Sequence, residues 1–360
     1  MKFNIVLDSH IGEVYNISSM LYFWGDSKEI DHNDELSIFI LRDKISAKDV
    51  LNELSWFKGK LTISSFNIMG NTKFYQLKNF LAFILKIFIN DKPDINIIPY
   101  DQKSIFYFLF RALFKNINIC VPHTTGPERY NNDVIKDMIQ KKWKNIPILA
   151  KSSESELYYS RLGFAKQIYT GDYASQINYS NYVYQRAKSL GEKNKTELVL
   201  FSLGYIEKMF NFQDWYRSHV SIFTVVNGLP NFKLIIKLHP SQSKEEFFNT
   251  FKEFIQIDQI VDLHPESLAR RCDVFLSIMT SAGHHAISNN KPHANFACNS
   301  LRKSVLEFGN DPYPYESFKC QEIINSSGLN NWLNIVELNN TCHKRKSSNC
   351  LSLAKIMDEL

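Results

Sequence analysis

Two short stretches in the second half of the chain have residue types and spacing suited to holding a phosphate. Lys237-Leu238-His239-Pro240 closes the apolar run Leu234-Ile235-Ile236, which reads as a buried strand. A histidine at the end of such a strand can donate to a phosphate oxygen. If protonated, it also offsets charge developing on a departing nucleotide. Lys237 stands close enough in sequence to add a charge, although strand alternation favours pointing it away, and Pro240 turns the chain and fixes its backbone. The second stretch, Asp273 to Gly283, reads as strand, small polar turn, then helix, with Thr280-Ser281 at the turn. Hydroxyls and N–H groups at a helix start make an anion site. The plainer reading, that Thr280 or Ser281 caps helix His284–Asn289, is compatible with it.

Ser202-Leu203-Gly204 follows another strand and is a third candidate for touching the same ligand. His264-Pro265-Glu266 opens a helix, and Pro at the first position with Glu in the first turn is ordinary helix-start chemistry. In the first half, Asp8 and His10 sit at the end of the first strand beside Gly12. His123 and Glu128 lie in the polar stretch after Ile117–Val121. A general base must be a carboxylate or imidazole within reach of an acceptor hydroxyl. All four qualify by position, and the sequence leaves the choice among them open.

GxxxxGK[ST], a GxGxxG after the first strand, HExxH and GxSxG are all missing. A P-loop ATPase, a simple dehydrogenase, a zinc protease and a serine hydrolase are therefore not expected.

The elements that must carry these residues alternate in the rhythm of parallel βαβ units. Expected strands in the first half are Phe3–Leu7, Leu36–Leu41, Leu61–Ser64, Ile95–Pro99, Ile117–Val121 and Ile146–Ala150, with helices such as Lys48–Phe57, Lys73–Ile89 and Ser104–Lys115. A second series has strands Leu198–Ser202, Phe232–Leu238, Ile260–Leu263, Val274–Ser277 and His293–Phe296. Its helices are Phe212–Gly228, Lys244–Ile255, Ser267–Arg271 and His284–Asn289. The polar stretch Ser175–Lys195 reads as a connection with one helix, Tyr182–Leu190. The expected organisation is a domain over 1–174, a linker over 175–196, a second domain over 197–340 and a tail with a helix over 341–360. Two Rossmann-like α/β domains with parallel sheets facing a cleft place ligands at the strand C-terminal ends.

With 360 residues, 44% hydrophobic and 22% charged, the chain is long enough for two ordinary cores. A net charge of +5, spread along the chain with acids interspersed, gives no reason to expect a nucleic-acid partner. The six cysteines show no CxxC spacing and read as reduced thiols. Cys342-His343 and Cys350 lack a second Cys/His pair at zinc spacing, so no metal is expected. The first residues lack the pattern of a signal peptide, and Phe80 to Ile89 is too short to span a bilayer. Lys73–Ile89 and Ser104–Lys115 read first as buried helices. Their interspersed Lys78, Lys86, Arg111 and Lys115 also suit a basic–apolar surface resting on a membrane that carries a lipid-linked acceptor.

In order, these stretches resemble the GT-B glycosyltransferases of bacterial surface polysaccharide synthesis. The likeness is carried by Lys92-Pro93-Asp94, Ile119 to His123, Leu149 to Glu154 with Tyr158-Tyr159, and Tyr169-Thr170-Gly171. It continues through Lys237 to Pro240, Cys272-Asp273-Val274 and Lys291-Pro292. A His-Pro pair followed by a Ser/Thr-Ser pair resembles transferases with cytidine-activated donors, among them bacterial sialyltransferases and Kdo transferases; teichoic-acid glycerophosphotransferases have related sites. The resemblance implies that His239, Thr280 and Ser281 contact the donor phosphate, with Ser202, Gly204, Lys237, Pro240 and His285 around it. Many UDP-sugar enzymes, the UDP-N-acetylglucosamine 2-epimerases among them, hold the ribose with a Glu where this chain has His285. The expectation is a metal-independent, cofactor-free, cytoplasmic glycosyltransferase acting on a glycan or lipid-linked acceptor, with a cytidine-type donor and peripheral inner-membrane contact. A 2-epimerase, a glycerophosphotransferase and a non-catalytic nucleotide-sugar-binding protein are the alternatives.

Overall fold

Buried apolar strands, all paired in parallel, build two sheets in the computed structural model of this chain. The structure describes all residues except 8–10, 43–44, 69–71, 90–91, 100–116, 122–145, 152–155, 158, 161–162, 203, 206–210, 240–241, 279, 281, 297–320 and 339–349. The chain divides into two units. One comprises Met1–Thr125, Asn132–Gln176 and Ser348–Leu360, the other Gly126–Asn131 and Ile177–Ser347.

In the first unit, β1 (Lys2–Leu7), α1 (Ile11–Asp26), β2 (Glu35–Ile40), α2 (Ala47–Glu53) and β3 (Lys60–Ser65) are followed by α3 (Lys73–Ile89). Then come β4 (Ile95–Pro99), β5 (Ile117–Val121), β6 (Ile148–Ala150) and β7 (Gln167–Tyr169). The sheet order is β3-β2-β1-β4-β5-β6-β7. Both faces of its centre are buried and mainly apolar, as a covered parallel sheet requires, with Asn4, Asn96 and Asn118 in register across β1, β4 and β5. Phe3, Ile5 and Leu7 fill one side with Ile38 and Ile97, while Val6, Phe39, Ile98 and Cys120 fill the other. Helix α2 stops at Glu53, short of the expected Phe57. Its start is fixed by a capping box in which Ser46 Oγ accepts from Asp49 N at 3.1 Å.

The second unit opens with α4 (Ile177–Tyr184), which tightens into a 3-10 turn over Gln185–Leu190. Next are β8 (Thr196–Ser202), α5 (Phe212–Asn227), β9 (Phe232–Leu238), α6 (Lys244–Phe251), α7 (Pro265–Arg271) and β10 (Val274–Ile278). The series ends with α8 (Gly283–Ser288), β11 (His293–Phe296), β12 (Gln321–Ile323) and α9 (Ser326–Leu338). The sheet order is β12-β11-β10-β8-β9. The strand expected at Ile260–Leu263 is reduced to one bridge, Ile236 with Ile260. Val261 N still reaches Ile236 O at 2.9 Å, but the chain then leaves the edge to begin α7 at Pro265. Counting that bridge as a vestigial strand restores the doubly wound order 3-2-1-4-5-6. The expected linker is built into this unit, since α4 packs on α7.

The last helix, α10 (Leu353–Glu359), belongs to the first unit rather than to a separate tail. Leu353 and Ile356 enter the first unit's core. Glu29 accepts from the N–H groups of Leu353 and Ala354 at 2.8 and 2.9 Å, a carboxylate placed where the helix dipole favours it.

One buried ion pair ties the second unit together. Glu197, fully buried at the start of β8, accepts from Arg271 Nε at 2.8 Å and Nη2 at 2.9 Å. The same guanidinium donates to the carbonyls of Ala187 and Gly191, both at 2.8 Å. A bidentate Arg–carboxylate pair that also satisfies two carbonyls answers every group it buries. Among the described residues, removing Arg271 leaves Glu197 only the longer ion pair with Lys233 Nζ at 3.8 Å, so Arg271→Ala is expected to cost about 3 kcal/mol. Urea unfolding measures this, and a loss under about 1 kcal/mol would show the pair to be idle.

Candidate functional site

In the second sheet the strand order reverses between β8 and β10, and both strands end at the same level, Ser202 opposite Ile278. Open α/β sheets bind ligands at the carboxyl ends of strands beside such a reversal. The described residues reaching that edge are Gly204-Tyr205, His239, the turn before α7, Thr280 and Ala282. A cavity of about 690 Å³ lies at the opposite edge, lined among others by Lys195, Pro230, Lys233 and Asp258. It is on the wrong side of the sheet for this chemistry.

His239 stands at the edge with its backbone pinned on both sides. Its N–H donates to Ser202 O at 2.9 Å, and its carbonyl accepts from Gln242 N at 2.9 Å. The imidazole is partly exposed. Beside it, Gly204 leaves room for Gln242: a Cβ there would come within 3.2 Å of the Gln242 side chain. Gln242 Oε1 is buried and has no hydrogen-bond partner among the described residues. An acceptor withdrawn from water at a ligand edge calls for a donor from outside.

The neighbouring candidates are turned elsewhere, and alternation is the reason. Ser202 has the parity of Leu198 and Leu200, which face the α5–α6 core. Its Oγ therefore meets the buried His219 Nε2 at 2.7 Å. His219 Nδ1 lies 2.8 Å from Trp215 O, so Nδ1 carries the proton and Nε2 accepts from the serine. Lys237 has the parity of Ile235 and points to the other face, where Nζ meets Asp262 Oδ1 at 2.9 Å. That ammonium holds the Asp262 carboxyl below its usual range. Neither side chain is directed at the edge, contrary to what a donor-contacting role for each implies.

Thr280 Oγ1 accepts from Ala282 N at 3.3 Å and shapes the turn. The cap of α8 is Ala282, without a side-chain bond, instead of the expected Thr280 or Ser281. Gly283 is obligatory, because an added Cβ would lie 2.2 Å from the His293 ring. That ring is held by Ser277 Oγ, 2.9 Å from Nε2.

Behind the turn lies a network with no signal in the sequence around His264-Pro265-Glu266. The expected helix start is there: His264 caps α7, with Pro265 first and His264 Nδ1 accepting from Glu266 N at 3.0 Å. The Glu266 side chain, however, is fully buried. It accepts from Ser180 Oγ at 2.7 Å, Asn289 Nδ2 at 3.0 Å and His285 Nδ1 at 3.0 Å. His285 and Asn289, at i and i+4 on α8, turn one polar face inward, the one feature that hinted at a buried partner. The pairing places a proton on Nδ1, the nitrogen that faces Glu266. The His284 and His285 rings lie tilted at 38° to each other with their centroids 3.8 Å apart. His264 is held well below the usual histidine range, first by burial and then by His285 and other cations nearby. Asp8, His10, His123, Glu128, Pro240 and Ser281 lie outside the described residues. Among the described residues no group of three or more His, Cys, Asp and Glu could hold a metal.

No family model matches the chain, and no curated protein matches it in sequence. Solved structures do. The UDP-GlcNAc 2-epimerase of Methanocaldococcus jannaschii, in complex with UDP-GlcNAc and UDP, has a TM-score of 0.62 at 16% identity over 99% of both chains. S. aureus MnaA with UDP has a TM-score of 0.60 at 13% identity, over 94% of this chain and 88% of that one. The wall teichoic acid polymerase TagF has a TM-score of 0.60 at 10% identity, over 100% of this chain and 87% of that one. At these identities the likeness establishes the fold, two Rossmann-like α/β units with parallel sheets, the pattern named GT-B.

Burial pushes His219 and His293 down to about 4. The unfolded chain then binds more protons than the folded one between about pH 6.5 and 4, so stability is full above that window and falls through it on acidification. The expected loss at pH 5 is about 2 kcal/mol per histidine. His219→Gln should remove its share of the slope in urea unfolding followed against pH, and an unchanged slope would contradict the assignment.

Proposed function

We propose that this protein is a nucleotide-sugar enzyme whose second unit binds the donor at the strand ends of β8, β9 and β10. The observation that carries this is His239, pinned by its backbone beside the sheet reversal, with the orphan Gln242 acceptor next to it. In this reading His239 donates to a phosphate oxygen and offsets charge on the leaving nucleotide. The Thr280 turn, with Ser281 following, borders the phosphates, and Gly204 lets the backbone come close. The reaction is transfer of the sugar to a glycan or lipid-linked acceptor, the acceptor hydroxyl losing its proton to one of Asp8, His10, His123 and Glu128. Contact with a membrane brings a lipid-linked acceptor within reach.

Uridine replaces cytidine as the favoured base. The ligands in the similar structures are UDP and UDP-GlcNAc, and the departure at His285 loses its force. With Glu266 holding its Nδ1 side, His285 turns its Nε2 edge to a ribose hydroxyl, which can either donate or accept. A second reading, 2-epimerisation of UDP-N-acetylglucosamine, is supported equally, because the epimerase fold matches this chain end to end.

Saturating UDP is expected to raise the melting temperature by roughly 5 °C, with CMP, CDP, GDP and ADP weaker. His239→Ala should weaken UDP binding at least about tenfold, the worth of a charge-assisted hydrogen bond. No shift with any nucleotide would sink the proposal, and a shift with CMP alone would restore the cytidine donor. Conversion of UDP-N-acetylglucosamine to its 2-epimer without acceptor marks the epimerase. Release of UDP only with an acceptor marks the transferase.

A further inference from the structure

We propose that the outer face of α3 is a docking surface for an anionic lipid bilayer. This deepens the acceptor side of the reading above and rests on it only for the lipid-linked acceptor.

Helix α3 inverts the usual pattern of a surface helix. Its inner face packs normally: Phe83 is fully buried, and its ring meets Phe39 at 6.0 Å and Phe66 at 5.4 Å. The face turned away from the sheet should be polar. Instead Phe74, Leu77, Leu81 and Leu85, at i, i+3, i+7 and i+11, are 75%, 56%, 51% and 60% exposed. Tyr75 beside them is 58% exposed. Together they form a contiguous apolar stripe, which marks an interaction surface where a scatter of single residues would not.

The charges on the helix choose the occupant. Lys73, Lys78 and Lys86 are its charged residues, and it has no Asp or Glu. Lys78 stands within the stripe, its Nζ 5.9 Å from the centre of the Tyr75 ring. In a second copy docked face to face, the lysines of both helices would meet with no carboxylate on either helix to pair them. Anionic headgroups pair with all of them, while the lysine stems lie along the apolar stripe and the side chains enter the acyl boundary. No helix among the described residues is long and apolar enough to cross a membrane. This contact is therefore one of lying on the surface.

The test is co-sedimentation of the full chain with phosphatidylcholine vesicles, with and without phosphatidylglycerol. Binding is expected with phosphatidylglycerol and should weaken as salt screens it. Lys73→Gln/Lys78→Gln/Lys86→Gln should lose roughly fivefold per lysine. Leu77→Ser/Leu81→Ser/Leu85→Ser should lose binding to both kinds of vesicle. Both variants should keep the UDP-induced thermal shift of the wild type. If the leucine variant unfolds, the lysine variant, changed only at polar ends, decides alone. Wild type that fails to sediment with phosphatidylglycerol vesicles overturns the proposal, as does a lysine variant that binds undiminished. A dimer in light scattering that Leu81→Glu dissolves, with no vesicle binding, would assign the face to a second copy. Vesicle binding without any nucleotide shift would sink the nucleotide reading and leave this one standing.

Discussion

A carboxylate with no exposed surface must have its lone pairs answered from within the protein, and Glu266 meets that demand by joining three helices. Ser180 reaches it from α4, His285 and Asn289 from α8, while its own N–H is fixed by His264. An ionised group buried without such partners costs several kcal/mol. The network therefore sets where α8 begins. The start of α8 in turn sets Gly283 against His293 and the Thr280 turn at the sheet edge. The position of the candidate phosphate turn is thus dictated by a side chain well behind it.

Strand parity sorts the other polar residues with the same economy. Ser202 goes to the α5 core and Lys237 to the opposite face, while His239 lies just past the last residue of β9. The sheet consumes the first two as structure. It leaves the third at the edge with its backbone fixed and its imidazole partly exposed. A rigid backbone beneath a reactive ring is what preorganised donation to a phosphate needs.

How far the sequence disclosed this depends on the range of the force involved. Strands written as continuous apolar runs stood out, and Ile95–Pro99, Ile117–Val121, Phe232–Leu238 and His293–Phe296 have the expected bounds. The three-residue strands β7 and β12 are too short to show a period, so nothing announced them. Ile260–Leu263 has the composition of a strand, yet the cap at His264 and the Lys237–Asp262 pair draw it off the edge. His239 and the Thr280 turn were legible because strand ends are local features. Glu266 was not, because its partners lie 19 to 86 residues away in sequence. A glutamate in the first turn of a helix looks the same whether it faces water or the core.

The pairing of Glu266 with His285 also bears on what the site asks of a ligand. A carboxylate accepts hydrogen bonds whatever its immediate neighbours, whereas an imidazole accepts at Nε2 only while Nδ1 carries the proton. Glu266 holds that Nδ1 proton from a position where water cannot compete with it. A pairing built this way places the formal negative charge one residue deeper than the ring. The imidazole stands between that charge and the outer edge of the ring, so an anion approaching that edge meets the carboxylate from further away.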